Sequence, residues 1–588
     1  MSGLEYEMRF WRTPIGVTRA YADSRFGQIH YRLCQPPDPS KVPLLCLHLS
    51  PSSGRVYAQF IAEMGKDRVA VAPDTPGFGL SDGPLSPPEI ADYAAALGEF
   101  MEGLGLARFD VMGYHTGSRI AVELAQQRPG RVRRLVLVSA PVYSEEELRL
   151  QYESMGTPAA DEIDADGAHL LRRWREQRRW VDPAAPAVLI HRELSEGLLG
   201  GESAWWGHRA AFRMQYSREL PRIEQPVLLL CPDDDLWTPT QRAREYLKNG
   251  RLVELPGFAH GFLDVHTARA ASLVQEFLDG PADDRPNRTS PKAPPPAPVS
   301  APLRPVRRDF WRGPYGPLHY RVARPDEPRG RPIVMFHMSP NSGRIYEPIL
   351  AELGRDRIAV APDTPGFGES EAPRAPIEIE EFAATMARFI DSLGLEQVDI
   401  MGYHTGSLTC IALALLRPEL VHRIVQISSP VFTDEELEHL RRAYGATAID
   451  PEGAHLRNKW IHLQSFYGPS VPRAVLARNF ADGLRGGPAA HWGHRAAFNY
   501  DLRIHLPLVT QPILIVNPND DLALQSLRGL PLMQNGRRHD LPGHSHGFID
   551  VMTTEFGQLL RDFLDPEEMP AELTPSSMRS NSPERRFL

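Results

Sequence analysis

The stretch FDVMGYHTGSRIAVELAQQR, residues 109–128, decides the fold. An apolar run ends near Tyr114, a helical pattern starts near Ser118, and Gly113 and Gly117 stand two residues either side of His115. Small flanking residues let a chain turn sharply between a strand and a helix. The strained central residue then projects above the sheet. The same pentapeptide returns as Gly402-Tyr403-His404-Thr405-Gly406.

Outward from this turn, the whole chain is written twice. DRVAVAPDTPGFGLSD (67–82) returns as DRIAVAPDTPGFGESE (356–371), and WGHRAAF occurs at 206–212 and at 492–498. A repeat this long is a duplicated domain, not a solenoid unit. FWRTPIG near the start matches FWRGPYG at 310–316. That match implies about eleven extra residues in the first copy before its IHYR. The expected units are a domain over 8–280 with an inserted cap near 144–220, a Pro-rich linker over 281–306, a domain over 307–566 with a cap near 433–506, and a loose tail over 567–588. At ~3.1 Å per residue the linker spans up to roughly 80 Å, which leaves the two domains free to contact each other.

The 588 residues exceed one ordinary core, which fits two domains. No apolar run reaches the ~18–20 residues of a membrane helix, so no membrane span is expected. The start lacks a basic flank followed by an apolar run, which points to the cytoplasm. The net charge of −9 is unclustered, which argues against a nucleic-acid partner. None of the four cysteines is shared between the copies, so a common disulfide or thiolate site is not expected and they read as core residues.

In the first copy 42–48, 69–74, 109–115, 134–140, 226–231 and 251–256 read as strands, nearly all apolar, as strands buried on both faces are. Helical patterns separate them, for example over 90–106, 118–128 and 267–279. This alternation predicts an α/β fold with a mostly parallel sheet, helices on both faces, and ligands at the strands' carboxyl ends.

With its turn and its ordered loops the sequence resembles the α/β-hydrolase superfamily, twice over. LHLSPSSGRVY (47–57) and FHMSPNSGRIY (336–346) look like the family's oxyanion loop, CPDDDLWTP (231–239) and NPNDDLALQ (517–525) like its acid loop, and LPGFAHGF (255–262) and LPGHSHGF (541–548) like its histidine loop. The resemblance places His115 and His404 at the elbow, Asp235 and Asp521 as the acid, and His260 and His546 as the triad histidine. Asp234 and Asp520 are the fallback acids. Ser50 with Thr116, and Ser339 with Thr405, would offer oxyanion N–H groups. His48 and His337 would orient the oxyanion loop. From the cap, His208 and His494 in the WGHR motif would reach a substrate carboxylate or carbonyl, or else pack in the cap core.

The departure from the family is histidine at the elbow. Dehalogenases and epoxide hydrolases of this fold need an aspartate there, so neither activity is expected. A near-neutral imidazole either attacks an activated acyl group or serves as acid or base beside the second histidine. The expected activity is therefore cleavage of a small-molecule ester, thioester or C–C bond. The alternatives are a silent ligand-binding pocket and a cofactor-free lyase or isomerase. Two histidines and a carboxylate also form a set used by iron and zinc. No His-x-x-x-His or His-x-His spacing common to both copies supports one, so neither metal nor cofactor is expected.

Overall fold

The computed structural model describes residues 3–154, 163–281, 291–297, 304–446 and 448–565. The tail over 567–588 lies outside these residues, as do 282–290 and 298–303 of the expected linker.

Residues 18–255 contribute β1 (Thr18–Ser24), β2 (Gly27–Cys34), β3 (Leu44–Leu47), β4 (Ala70–Pro73), β5 (Phe109–Tyr114), β6 (Val132–Val138), β7 (Val227–Pro232) and β8 (Gly250–Leu255). They form one sheet in the order β1-β2-β4-β3-β5-β6-β7-β8. Only β2 runs antiparallel to its neighbours β1 and β4. The second half repeats this with β9 (Val306–Gly313), β10 (Gly316–Ala323), β11 (Ile333–Phe336), β12 (Ala359–Pro362), β13 (Val398–Tyr403), β14 (Val421–Ile427), β15 (Ile513–Pro518) and β16 (Gly536–Leu541), in the matching order. Strands β3, β4, β5 and β7 are buried along their whole length, which is why they read as unbroken apolar runs. The α/β architecture read from the sequence is the one observed.

The start of the chain differs from expectation. Phe10 and Trp11 close the helix Gly3–Trp11, whereas Phe310 and Trp311 lie inside β9. In β1–β2 Tyr21 pairs with His30, and in β9–β10 Phe310 pairs with His319. Tyr21 and Phe310 are thus the true counterparts, and YADSRFGQIHYR matches FWRGPYGPLHYR with no insertion. The shared FWR is coincidental. The helix Gly3–Trp11 precedes the repeat and reaches across to the second half. Met8 packs with Ala489 and Trp492, and Trp11 Nε1 donates to the Arg485 carbonyl (3.3 Å).

Between β6 and β7 lie the helices Ala168–Trp180, Ala187–Leu199 and Trp206–Arg213, and between β14 and β15 lie Ala454–Gln464, Arg473–Leu484 and Trp492–Asn499. The two inserts pack on each other. Leu170, Trp174 and Ile190 share one buried cluster with Leu456, Trp460 and Phe480. The contacts are reciprocal. Trp174 Nε1 donates to the Pro451 carbonyl (3.0 Å) and its ring meets His455 edge-on (5.1 Å). Trp460 Nε1 donates to the Asp164 carbonyl (3.1 Å) and its ring meets His169 edge-on (5.1 Å). At the hairpins, Tyr21 stacks on Phe310 (5.7 Å), and its hydroxyl lies 2.9 Å from His319 Nε2. Phe310 has no hydroxyl, and the equivalent His30 Nε2 is buried without a partner.

The described linker segment lies on the first half. Lys292 Nζ donates to Glu123 (2.6 Å), and Arg25 Nη1 donates to the Pro295 carbonyl (3.1 Å). All four cysteines are buried and free. Among the described residues no helix is long and apolar enough to cross a membrane.

Candidate active site

The turn after β5 takes its shape from sterics. His115 sits at φ 47° and ψ −112°, and His404 at φ 47° and ψ −108°. This region is unfavourable for a side-chain-bearing residue, at about 1–3 kcal/mol. A Cβ on Gly113 would lie 2.3 Å from the Gly117 carbonyl oxygen, and one on Gly117 would lie 2.1 Å from that of Leu47. Gly402 and Gly406 are as crowded, at 2.2 and 1.9 Å. The glycines are therefore required, and they aim each histidine off the carboxyl edge of its sheet.

The loops after β7 and β8 bring three more side chains to it. His260 Nε2 lies 2.8 Å from Asp235 Oδ1, and His115 Nε2 lies 3.4 Å from Asp234 Oδ2. The rings of His115 and His260 are 5.0 Å apart. In the second half His546 Nε2 is 2.8 Å from Asp521, His404 Nε2 is 3.0 Å from Asp520, and the rings are 5.1 Å apart. The acid and its fallback are thus both engaged, each by a different histidine.

The aspartates are held ionised. Burial alone would raise Asp235, but the hydrogen bond from His260 and the charge of both imidazoles bring it down to about 2. Asp234, Asp520 and Asp521 are lowered in the same way against their burial. For His260 and His404, burial would lower the imidazole, but the neighbouring carboxylates outweigh it and raise it.

Two kinds of supporting residue escaped the sequence reading. Ser139 and Ser428 follow β6 and β14 at positive φ, 46° and 57°. Their hydroxyls donate to Asp234 (2.5 Å) and Asp520 (2.6 Å). A serine at the carboxyl end of an apolar strand in both copies was the available signal. Tyr114 is the other: its hydroxyl lies 3.4 Å from His260 Nδ1.

Ser50 and Ser339 are in the loops after β3 and β11, under the WGHR helices. A Cβ on Gly207 would meet Ser50 Oγ at 2.1 Å, and one on Gly493 would meet Ser339 Oγ at 2.0 Å. His48 fixes that loop: Nδ1–H donates to the Leu49 carbonyl (2.7 Å) and Nε2 accepts from the Thr75 N–H (2.8 Å). Thr116 and Thr405 open the helices Thr116–Gln127 and Thr405–Leu416, where first-turn N–H groups have no partner inside the helix. His208 is lowered to about 4 by burial and by the charge of His115. His494 is lowered to about 4 by burial and by Lys459 and His404. Both are neutral bases near the elbow histidine.

The two sites open differently. In the second half a cavity of about 560 Å³ is lined by Ser339, His404, Thr405, His494 and Asp521, with Tyr444 and Phe466 among its walls. In the first half a cavity of about 250 Å³ reaches Asp235 and His260 from another side, between Trp180, Val181, Leu189 and Glu193. At the positions matching Val181 and Glu193 the second half has Tyr467 and Asn479. The Tyr467 ring stands 5.8 Å from that of His546, and its hydroxyl accepts from Asn479 Nδ2 (2.9 Å). Accordingly the His260 side chain is 24% exposed and that of His546 only 5%.

A family model described as the alpha/beta hydrolase fold matches residues 42–155 and 331–450. The chain is 36% identical over 281 residues to haloalkane dehalogenase 2 of Mycobacterium tuberculosis, covering 43% of this chain and 93% of that protein. It is 28% identical over 226 residues to a bifunctional esterase/perhydrolase of Acinetobacter calcoaceticus, covering 35% of this chain and 79% of that protein. It is 23% identical over 254 residues to a 2-hydroxy-6-oxo-2,4-heptadienoate hydrolase of Pseudomonas putida, covering 41% of this chain and 91% of that protein. The chain belongs to the α/β-hydrolase fold family.

Proposed function

We propose that the chain is a tandem hydrolase that cleaves a small-molecule ester, thioester or C–C bond at two sites, each built on a His-Asp-His set beneath its helical insert, which acts as a cap. The observation that carries this is the paired arrangement of the site. In each half two imidazoles stand about 5 Å apart, each hydrogen-bonded to its own carboxylate. The relatives named as an esterase and as a dienoate hydrolase support the substrate range. Neither elbow carries a carboxylate, so the dehalogenase's name does not transfer.

The elbow imidazole has its Nε2 on Asp234 or Asp520, which weighs against a free acyl-accepting nucleophile. Activation of water fits better. The histidine–aspartate pairs take its proton, and the N–H groups near Ser50 and Thr116, or Ser339 and Thr405, receive the developing oxyanion. The experiment is turnover of a panel of activated acyl esters and β-diketones by the wild type and by His115→Ala with His404→Ala. Turnover lost in the double variant supports the proposal. A wild type that cleaves nothing, or a variant equal to it, ends it.

A further inference from the structure

The histidines are turned differently from those of a charge-relay triad. There the acid holds Nδ1 and leaves Nε2 for the reacting group. Here Nε2 of His260 faces Asp235, and Nε2 of His115 faces Asp234. Each Nε2 thus faces one of two adjacent carboxylates. One donor atom from each of His115, Asp234, Asp235 and His260 lies within 4.8 Å of all the others, and the same holds for His404, Asp520, Asp521 and His546. We infer that each quartet is a binding site for a divalent first-row transition cation, with two imidazole nitrogens and two carboxylate oxygens as ligands.

Geometry and chemistry agree. Bonds of about 2.0–2.2 Å set ligand atoms about 3.4 Å apart in a tetrahedron and about 4.2 Å apart across an octahedron, separations of the same order as the 4.8 Å that bounds each quartet. Imidazole with carboxylate suits Zn²⁺, Mn²⁺, Fe²⁺ or Co²⁺, and among the described residues no cysteine joins either quartet to favour a softer ion. Each quartet sets two carboxylates against two imidazoles, so it offers a divalent ion two anionic oxygens and two nitrogen donors.

An outer shell is also built. The Ser139 hydroxyl and the Leu236 N–H (2.9 Å) hold the two oxygens of Asp234, and Tyr114 stands at His260 Nδ1. Ser428 and the Leu522 N–H (3.0 Å) do the same for Asp520. Metal-ligating side chains are oriented by such partners. The ligands come from three separate loops, two of them adjacent in sequence, so no local spacing announces them. This revises the expectation of no metal drawn from spacing alone.

The inference deepens the hydrolytic reading, since a bound cation supplies an acidified water at neutral pH. In the second half the cavity touches His404 and Asp521, so a substrate there would meet an ion held by that quartet. The elbow histidine then needs no nucleophilic role: it is a ligand where relatives of the fold carry a nucleophile.

The test is metal content of the full chain, measured by elemental analysis after stripping with chelator, reloading with Zn²⁺ or Co²⁺ and dialysis. Two ions per chain are expected in the wild type, one after His115→Ala with His260→Ala, and none when His404→Ala and His546→Ala are added. X-ray absorption of the Zn²⁺-loaded wild type reads imidazole in the coordination shell without any substitution. No retained ion, a count unchanged by the four substitutions, or a shell without imidazole overturns the inference. A chain that binds two ions but cleaves no substrate keeps the site and loses the hydrolytic reading. Undiminished turnover by the ion-free chain keeps the hydrolytic reading and overturns the part given to the ion in it.

Discussion

Removing the Trp174 side chain is expected to loosen the junction between the two inserts. Trp174 is fully buried and packs against residues almost 300 positions away in sequence, so its loss is felt between the halves rather than within one. Truncating a buried tryptophan to alanine costs about 3–5 kcal/mol through lost transfer energy and the cavity left behind. The Pro451 carbonyl also accepts from Arg178, so losing the indole N–H strands no acceptor, which points to the lower half of that range. Gly453 supplies an internal check. A Cβ there would lie 2.6 Å from Trp174 Cγ, on a backbone with φ +84°. Gly453→Ala should therefore be costly in the wild type and markedly less so beside Trp174→Ala, with a coupling of about 0.5–3 kcal/mol. Urea unfolding followed by circular dichroism measures all four chains. A loss below about 1 kcal/mol for Trp174→Ala, or strict additivity with Gly453→Ala, would refute the packing argument.

Other outcomes follow from single contacts. Phe310→Tyr should give the orphaned His30 Nε2 a partner and stabilise the chain by about 0.5–1.5 kcal/mol, while Tyr21→Phe should cost a similar amount, both read from urea midpoints. Across the junction a relay runs from the Asp450 N–H to His455 Nδ1, from His455 Nε2–H to His191 Nδ1, and from His191 Nε2–H to the Leu484 carbonyl. It requires both rings neutral. Burial lowers His191 to about 3, helped by His455 and Lys459. Burial also lowers His455 to about 4, with Lys459 aiding and Asp450 opposing. Since the unfolded rings take up protons first, this stabilisation is complete above the ordinary histidine value of 6.5 and fades as pH falls toward 4 and 3. His191→Phe should flatten that limb of a stability–pH curve. Val181→Tyr should fill the first half's cavity and abolish ligand binding there while leaving the second site untouched, as calorimetry on each variant would show. His260→Ala with His546→Ala should lower turnover by about 10²–10⁴-fold, and a smaller loss would remove both imidazoles from proton transfer.

The parts of the molecule legible in the sequence are those governed by local rules. Gly113 and Gly117 had to be glycine for steric reasons that need no partner, and β3 or β7 read as strands because burial on both faces leaves only apolar residues. The start of the chain misled because three identical letters, FWR, outweighed the better gapless match through HYR. Trp11 and Trp311 share a name and not a structural place. The choice between Asp234 and Asp235 could not be made from spacing, since adjacent carboxylates project in different directions and each meets a different histidine. His191, His455, Trp174 and Trp460 gave no sign of their role, because each answers to a residue in the other half.

The reciprocal junction has a bearing on how the two pockets came to differ. Two separate copies meeting through these faces would form a symmetric pair, whose assembly would depend on concentration and whose sites would change together with every substitution. Joined in one chain, the pair does not fall apart on dilution, and each half changes by itself. Tyr467 stands opposite Val181, and Asn479 opposite Glu193, with the interlocked inserts undisturbed. One polypeptide thus holds the same histidines and aspartates twice, under two differently shaped cavities.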